Sequence, residues 1–284
     1  MRWSPGGRDS GNVEDRRGAS GGGFGMAPMG IGGTVVLLVL SLIFGRDFIS
    51  GSDQPAPSDA APGEVAPPAS ESATEKREVQ LVRFVFDTAQ VTWSQIMSSE
   101  GARWHDAKLV LFRDATQTGC GVGQTAMGPF YCPNDEKIYI DLAFYDELRT
   151  RFGAPGDFAE AYVITHELGH HVQHLLGTDA KVRRLQDQNP GEANPLSVAL
   201  ELQADCYAGV WANHTKDEKI LESGDIESGL TAAAAVGDDR LQKQATGHVN
   251  VDRFTHGSSQ QRMTWFKRGF DSGNPGACNT FASQ

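Results

Sequence analysis

Positive charge is scarce in this chain of 284 residues: 25 Lys and Arg stand against 36 Asp and Glu, a net charge of −11. That balance excludes a general nucleic-acid binder, and the mixed-sign, arginine-bearing N-terminus does not change it. Cysteine is scarce too. Cys120, Cys132, Cys206 and Cys278 form no CxxC pair, which argues against a cysteine-held zinc cluster. Three pairings are possible in principle. The favoured one joins Cys120 to Cys132, clipping a hairpin, and Cys206 to Cys278, tying the C-terminal tail to a helix. The glycine-rich stretch 119–123 has no following GKS/T or helix and so is no phosphate cradle. No internal repeat is visible.

Long apolar runs are absent with one exception. Residues 26–45 carry no charge and are about as long as a helix needs to cross a bilayer. No small-residue cleavage site follows; Arg46 and Asp47 come instead, so 26–48 reads as an uncleaved signal anchor, one transmembrane helix. Arg2, Arg8, Arg16 and Arg17 precede it and only Arg46 follows closely. By the positive-inside bias the N-terminus is then cytoplasmic and the rest lies outside the cell membrane, on a single-pass anchor. Residues 1–25, rich in Gly, Ser, Arg and Asp, are expected to be disordered. Residues 49–76 form a Pro/Ala/Ser-rich linker, and 77–284 form the folded domain.

Within that domain the fold class is α+β and mainly helical, with a small antiparallel hairpin sheet. Helical spacing runs over 78–86 and 88–99, with Asp87 available as a cap. The apolar run 109–112 reads as a buried strand. Residues 130–132 and 137–141 flank the turn 133–136 as a hairpin. Further helices are expected over 143–151, 157–177, 196–214, 226–236, 238–244 and from Ser258 or Ser259 to Phe270. Asp157, Asn194 and Asp225 are the expected caps and Gly177 the expected stop.

The helix over 157–177 contains Thr165-His166-Glu167-Leu168-Gly169-His170. Residues four apart are neighbours on one helix face, so His166 and His170 can present two imidazoles to one metal ion, with Glu167 at the edge. This is the HExxH arrangement, in which two histidines hold zinc and the glutamate is a general base. His174 extends the ladder and makes His170/His174 a rival pair, but residue 171 is His, so the rival lacks the adjoining carboxylate. Two histidines and a water leave zinc one ligand short of the usual three. Glu201, on the helix over 196–214, can be the third. Asp205 is one turn on, placed to accept a hydrogen bond from the outer N–H of a ligating histidine.

HExxH followed on a later helix by ExxxD resembles the gluzincin group of zinc metallopeptidases. The stretches Leu111-Phe112-Arg113-Asp114-Ala115-Thr116-Gln117-Thr118, Gly128-Pro129-Phe130-Tyr131-Cys132-Pro133, Phe152-Gly153-Ala154-Pro155-Gly156-Asp157 and Glu201-Leu202-Gln203-Ala204-Asp205-Cys206-Tyr207-Ala208-Gly209 are similar to the bacterial putative neutral zinc metallopeptidase family. The resemblance implies a zincin-like fold, Zn2+ and hydrolysis of a peptide or protein substrate, with Glu167 as catalytic base. Thr255-His256-Gly257 with Arg262 is similar to a Thr-His-Pro…Arg segment of CAAX-processing zinc proteases, in which the His and Arg line the active site. It implies that His256 and Arg262 stabilise a developing oxyanion; Gly257 stands where that segment has Pro. Two other readings use the same residues: a catalytically silent protein stapled by zinc for interaction, and a zinc amidase acting on cell-wall peptides.

Overall fold

The structure, a computed structural model, describes residues 1–4, 10–18 and 71–282. The expected anchor over 26–48 lies outside them, as does most of the expected linker. Among the described residues no helix is long and apolar enough to cross a membrane.

The domain begins earlier than composition suggests. Helix α1 spans Ala73–Ser99 and opens on a capping box: Ser72 accepts from the Glu75 N–H, and the Glu75 carboxylate accepts from the Ser72 N–H. Leu81, Val82, Val85, Phe86, Ala89 and Trp93 are buried along one side. One helix replaces the two expected here. Asp87 caps nothing; its carboxylate accepts from the backbone N–H and the hydroxyl of Ser10.

That contact belongs to a segment expected to be disordered. Val13–Asp15 is strand β1, lying parallel to β2, Lys108–Phe112. Arg17, almost wholly buried, forms ion pairs of 2.6 Å with Asp15 and with Glu71. Of the stretch 1–25, the described part is therefore ordered and packed on the domain.

Strand β2 is central. Leu109 and Leu111 enter the main core, while Val110 and Phe112 enter a smaller cluster with Cys132 and Tyr139, so both faces are covered. Strands β3 (Ala115–Thr118) and β4 (Gly121–Gln124) form a separate hairpin. Strands β5 (Phe130–Cys132) and β6 (Lys137–Asp141) form the expected hairpin around 133–136. The order is β1-β2-β6-β5. The sheet is mixed rather than antiparallel: β1/β2 and β2/β6 run parallel and only β5/β6 antiparallel. Cys120–Cys132 fastens the β3–β4 hairpin to β5, and Cys206–Cys278 fastens the C-terminal tail, with Cα separations of 5.8 and 5.6 Å.

Helices α2 (Ala143–Thr150), α3 (Asp157–Leu175), α4 (Thr178–Gln188), α5 (Ala193–His214), α6 (Asp225–Ala235), α7 (Asp238–Thr246) and α8 (Ser259–Ser272) follow. Ser258 caps α8 in a full capping box with Gln261. The expected caps Asp157 and Asn194 are engaged elsewhere: Asp157 accepts from the Trp3 indole and from Arg77, and the Asn194 amide donates to the Asp252 carbonyl. Helices α5 and α8 cross at two glycines. A Cβ on Gly209 would lie 2.0 Å from the Phe266 oxygen, and one on Gly269 1.9 Å from the Cys206 oxygen. Only hydrogen fits at either position.

Candidate metal centre

Helices α3 and α5 touch where Gly169 faces Ala204. A Cβ on Gly169 would sit 3.1 Å from the Ala204 Cα and carbonyl oxygen. This close approach brings one turn of α5 over the His-bearing turn of α3. Glu201 Oε2 lies 3.2 Å from His166 Nε2, and Glu201 Oε1 lies 3.5 Å from His170 Nε2. Ligand atoms of His166, His170 and Glu201 all fall within 4.8 Å of one another.

The outer nitrogens fix which atoms face inward. His166 Nδ1 lies 2.8 Å from Asp205 Oδ1. A carboxylate only accepts, so Nδ1 carries hydrogen, and in the neutral ring Nε2 presents a lone pair. His170 Nδ1 lies 2.8 Å from Gln173 Oε1. The Gln173 amide nitrogen donates to the Leu200 carbonyl and to Gln203 Oε1, which settles the amide orientation and makes Oε1 the acceptor. Both histidines thus aim Nε2 at Glu201.

Asp205 is fully buried and accepts four times: from His166, from the Tyr162 hydroxyl at 2.5 Å, and from Arg262 Nε and Nη2 at 2.8 and 3.0 Å. Burial alone would raise its pKa; the Arg262 and His166 charges hold it down. Arg262 is 3 % exposed and also donates to Val236 O and Tyr162 Oη. It therefore stands behind His166, bound to Asp205, and not on the open side where an oxyanion donor would be.

Burial pushes the His166 pKa down, but Asp205 and Glu201 more than offset it, bringing it up to about 10. Glu201 is held well below the usual carboxylate range: desolvation opposes this, and the charges of His170, His166 and His256 prevail. Two aligned imidazole lone pairs and one carboxylate suit zinc, which takes nitrogen and oxygen donors in sets of three with an open fourth position. Glu167 is buried, and that burial raises its pKa against the lowering charges of His166 and His170.

His256 lies on a loop against the outer side of α5. A Cβ on Gly257 would meet Leu202 and Val198 at 3.2 and 3.3 Å, on either side of Glu201 in sequence. Asp238 holds the loop: its Oδ2 accepts from the N–H groups of Thr255, His256 and Gly257 at 2.7, 2.6 and 3.0 Å, and Oδ1 lies 3.3 Å from His256 Nδ1. The His256 side chain remains half exposed. Its pKa is lowered by desolvation and raised more by Asp238 and Glu201, for a net rise. Gly257 has φ +88°, which proline, locked near −65°, cannot adopt. The likeness to a Thr-His-Pro segment therefore stops at the backbone.

The rival ligand His174 faces away, with Nδ1 2.9 Å from Asp179 and Nε2 3.6 Å from Glu136. His171 is a core residue: its ring contacts the Tyr131 hydroxyl on β5 at 3.0 Å and the His105 carbonyl at 2.9 Å, and burial lowers its pKa to about 4. It ties the sheet edge to the metal-bearing helix. Sequence reasoning missed Tyr162, Gln173 and Asp238. Tyr162 and Gln173 had a signal, standing four residues before His166 and three after His170 on the same helix. Asp238 had none beyond its place at a helix start.

The chain is 49% identical to the uncharacterized protein YpfJ of Escherichia coli (strain K12) over 291 residues, covering 99% of both. It is 47% identical to the uncharacterized proteins Rv2575 of Mycobacterium tuberculosis (strain H37Rv) and Mb2605 of Mycobacterium bovis over 184 residues, 61% of each chain. No solved structure matches. The model of the family described as "Putative neutral zinc metallopeptidase" matches residues 1–281, and the chain belongs to that family.

Proposed function

We propose that the protein is a zinc-dependent endopeptidase, with His166, His170 and Glu201 holding the ion and Glu167 as general base. The observation that carries this reading is the meeting of Glu201 with both imidazoles, next in sequence to a buried glutamate, Glu167, that stands outside the ligand cluster. A purely structural site has no use for that glutamate. Bound zinc would supply Lewis acidity, lowering the pKa of water and polarising the scissile carbonyl. Glu167, its proton affinity raised by burial, takes the proton of the attacking water and passes it to the leaving amine. His256, whose proton affinity burial lowers and Asp238 and Glu201 raise by more, is placed to donate to the developing oxyanion. Asp205 and Arg262 do not touch substrate; they keep His166 in one tautomer and one orientation. Strand β5 is the sheet edge nearest α3 and is joined to it through Tyr131 and His171, so an extended peptide pairing on that edge runs beside the metal ligands.

The test is Glu167→Gln. The variant should retain one zinc per chain by metal analysis and lose cleavage of a peptide library by 10²-fold or more, on the order expected for removal of a general base. Undiminished cleavage would refute the assignment of the base.

A further inference from the structure

The N-terminal strand is an outer strand of the sheet, paired with β2 over its whole length. Val13, Glu14 and Asp15 pair in register with Leu109, Val110 and Leu111. The Leu109 N–H donates to the Asn12 carbonyl at 2.9 Å, and the Arg16 N–H to the Leu111 carbonyl at 2.7 Å. Val13 is in the main core. Lys137 on β6 reaches Glu14 at 2.8 Å. Ahead of the strand, the Trp3 indole donates to Asp157 at 2.7 Å and its ring lies under the Arg77 guanidinium.

Arg17 and Glu71 flank the apolar run 26–45 in sequence, yet their side chains meet at 2.6 Å, and the Arg17 side chain is 1% exposed. A helix crossing a bilayer once would leave those two residues on opposite sides of a hydrocarbon layer about 30 Å thick. Residues 49–70, rich in Pro, Ser and Asp, offer no second apolar run to bring the chain back. Arginines ahead of the run are held by the fold as well. Of those counted toward a cytoplasmic N-terminus, Arg16 pairs with Glu14 and Arg17 with Asp15 and Glu71, so their place in the sequence has a structural cause.

We propose that residues 1–18 and the metal-bearing domain occupy one compartment, and that the run 26–45 does not carry the chain across a membrane a single time. The family model spans residues 1–281 and the Escherichia coli relative aligns over 99% of the chain, so both matches include the N-terminal segment.

The proposal is tested with the full chain in spheroplasts of an expressing bacterium. One variant carries a site for a sequence-specific protease within residues 5–9, another carries it within 49–60. Both sites should be cut by added protease, or both protected until lysis. A site cut on one side of the run with its counterpart protected, both being cut after lysis, would overturn the proposal. A second measurement does not depend on cleavage. Ser10→Cys with Asp87→Cys should be joined by a short bifunctional maleimide in intact cells, because the parent side chains are hydrogen-bonded. Cross-linking of the purified protein but not of the protein in cells would also overturn it.

Discussion

Asp205→Asn separates the two tasks of the buried cluster, holding the fold and holding the metal ligand. Asp205 is 0% exposed and faces Arg262 through two hydrogen bonds of 2.8 and 3.0 Å. The substitution keeps the shape and a carbonyl oxygen for His166 Nδ1 but removes the charge, leaving the guanidinium buried without its counter-ion. Breaking a buried pair from one side costs about 3–5 kcal/mol, mostly for the stranded partner. The imidazole also loses the anionic acceptor that makes it a stronger donor, which costs about 10- to 100-fold in metal affinity. Adding Arg262→Met removes the stranded charge, so the double variant should regain at least about half of the lost stability while its zinc affinity stays low. Stability is read by urea unfolding of metal-free protein, since bound zinc would add its own stabilisation. Affinity is read by competition with a chromophoric chelator. If zinc binding recovered along with stability in the double variant, Asp205 would be a packing residue only, and the reasoning would fail.

Gly169→Val forces a branched side chain into the α3–α5 contact, where the first added carbon already lies 3.1 Å from backbone. It should cost about 2 kcal/mol or more by overpacking and at least about tenfold in zinc affinity; Gly177→Ala, at φ +71° with open space around it, should cost about 1 kcal/mol and leave zinc binding alone. Glu160 is buried beside Glu78 and shares Arg149 with it, and desolvation raises its pKa from 4.5 to about 7. The native state then holds a proton between pH 4.5 and about 7 that the unfolded chain has released, so stability falls as pH rises through that window, by at most about 3 kcal/mol. Glu160→Gln should flatten that part of the stability–pH curve, measured as denaturant midpoints from pH 5 to 8; an unchanged slope would contradict the assignment.

Legibility in the sequence followed the range of the interactions. The neighbouring pair His166/His170, the helix start at Ser258 or Ser259 and the hairpin around 133–136 depend on residues within a few positions, and spacing alone disclosed them. Glu201 was found across a longer distance because a carboxylate on an otherwise apolar helix face demands a partner. What failed were features settled from afar. β1 has one apolar residue, Val13, in its three, and owes its place to parallel pairing with a strand about 95 residues on. Asp87 and Asp157 carry good capping side chains that distant donors, Ser10, Trp3 and Arg77, have already engaged. Arg262 has the right residue type for an oxyanion donor, but its orientation was set by Asp205 on another helix.

The site therefore has two sides of different rigidity, and the proposed chemistry divides along them. On the inner side each ligand histidine is held by a group that is itself held: Asp205 by Tyr162 and Arg262, Gln173 by Leu200 and Gln203, and Gln203 by the Cys278 carbonyl beside the disulfide. None of these can turn without stranding a buried polar group, at about 1–3 kcal/mol each, so the ligand geometry is fixed before any substrate arrives. On the outer side His256 is half exposed; Asp238 holds its backbone, and its Nδ1 lies 2.9 Å from the Thr255 hydroxyl and 3.3 Å from Asp238 Oδ1. Under the proposed function this exposed imidazole meets the carbonyl oxygen of the peptide, while the nitrogens facing the metal are fixed from behind. A peptidase built this way would keep one set of ligand positions for all substrates, and on the proposed function discrimination between them would fall to the His256 loop and the β5 edge.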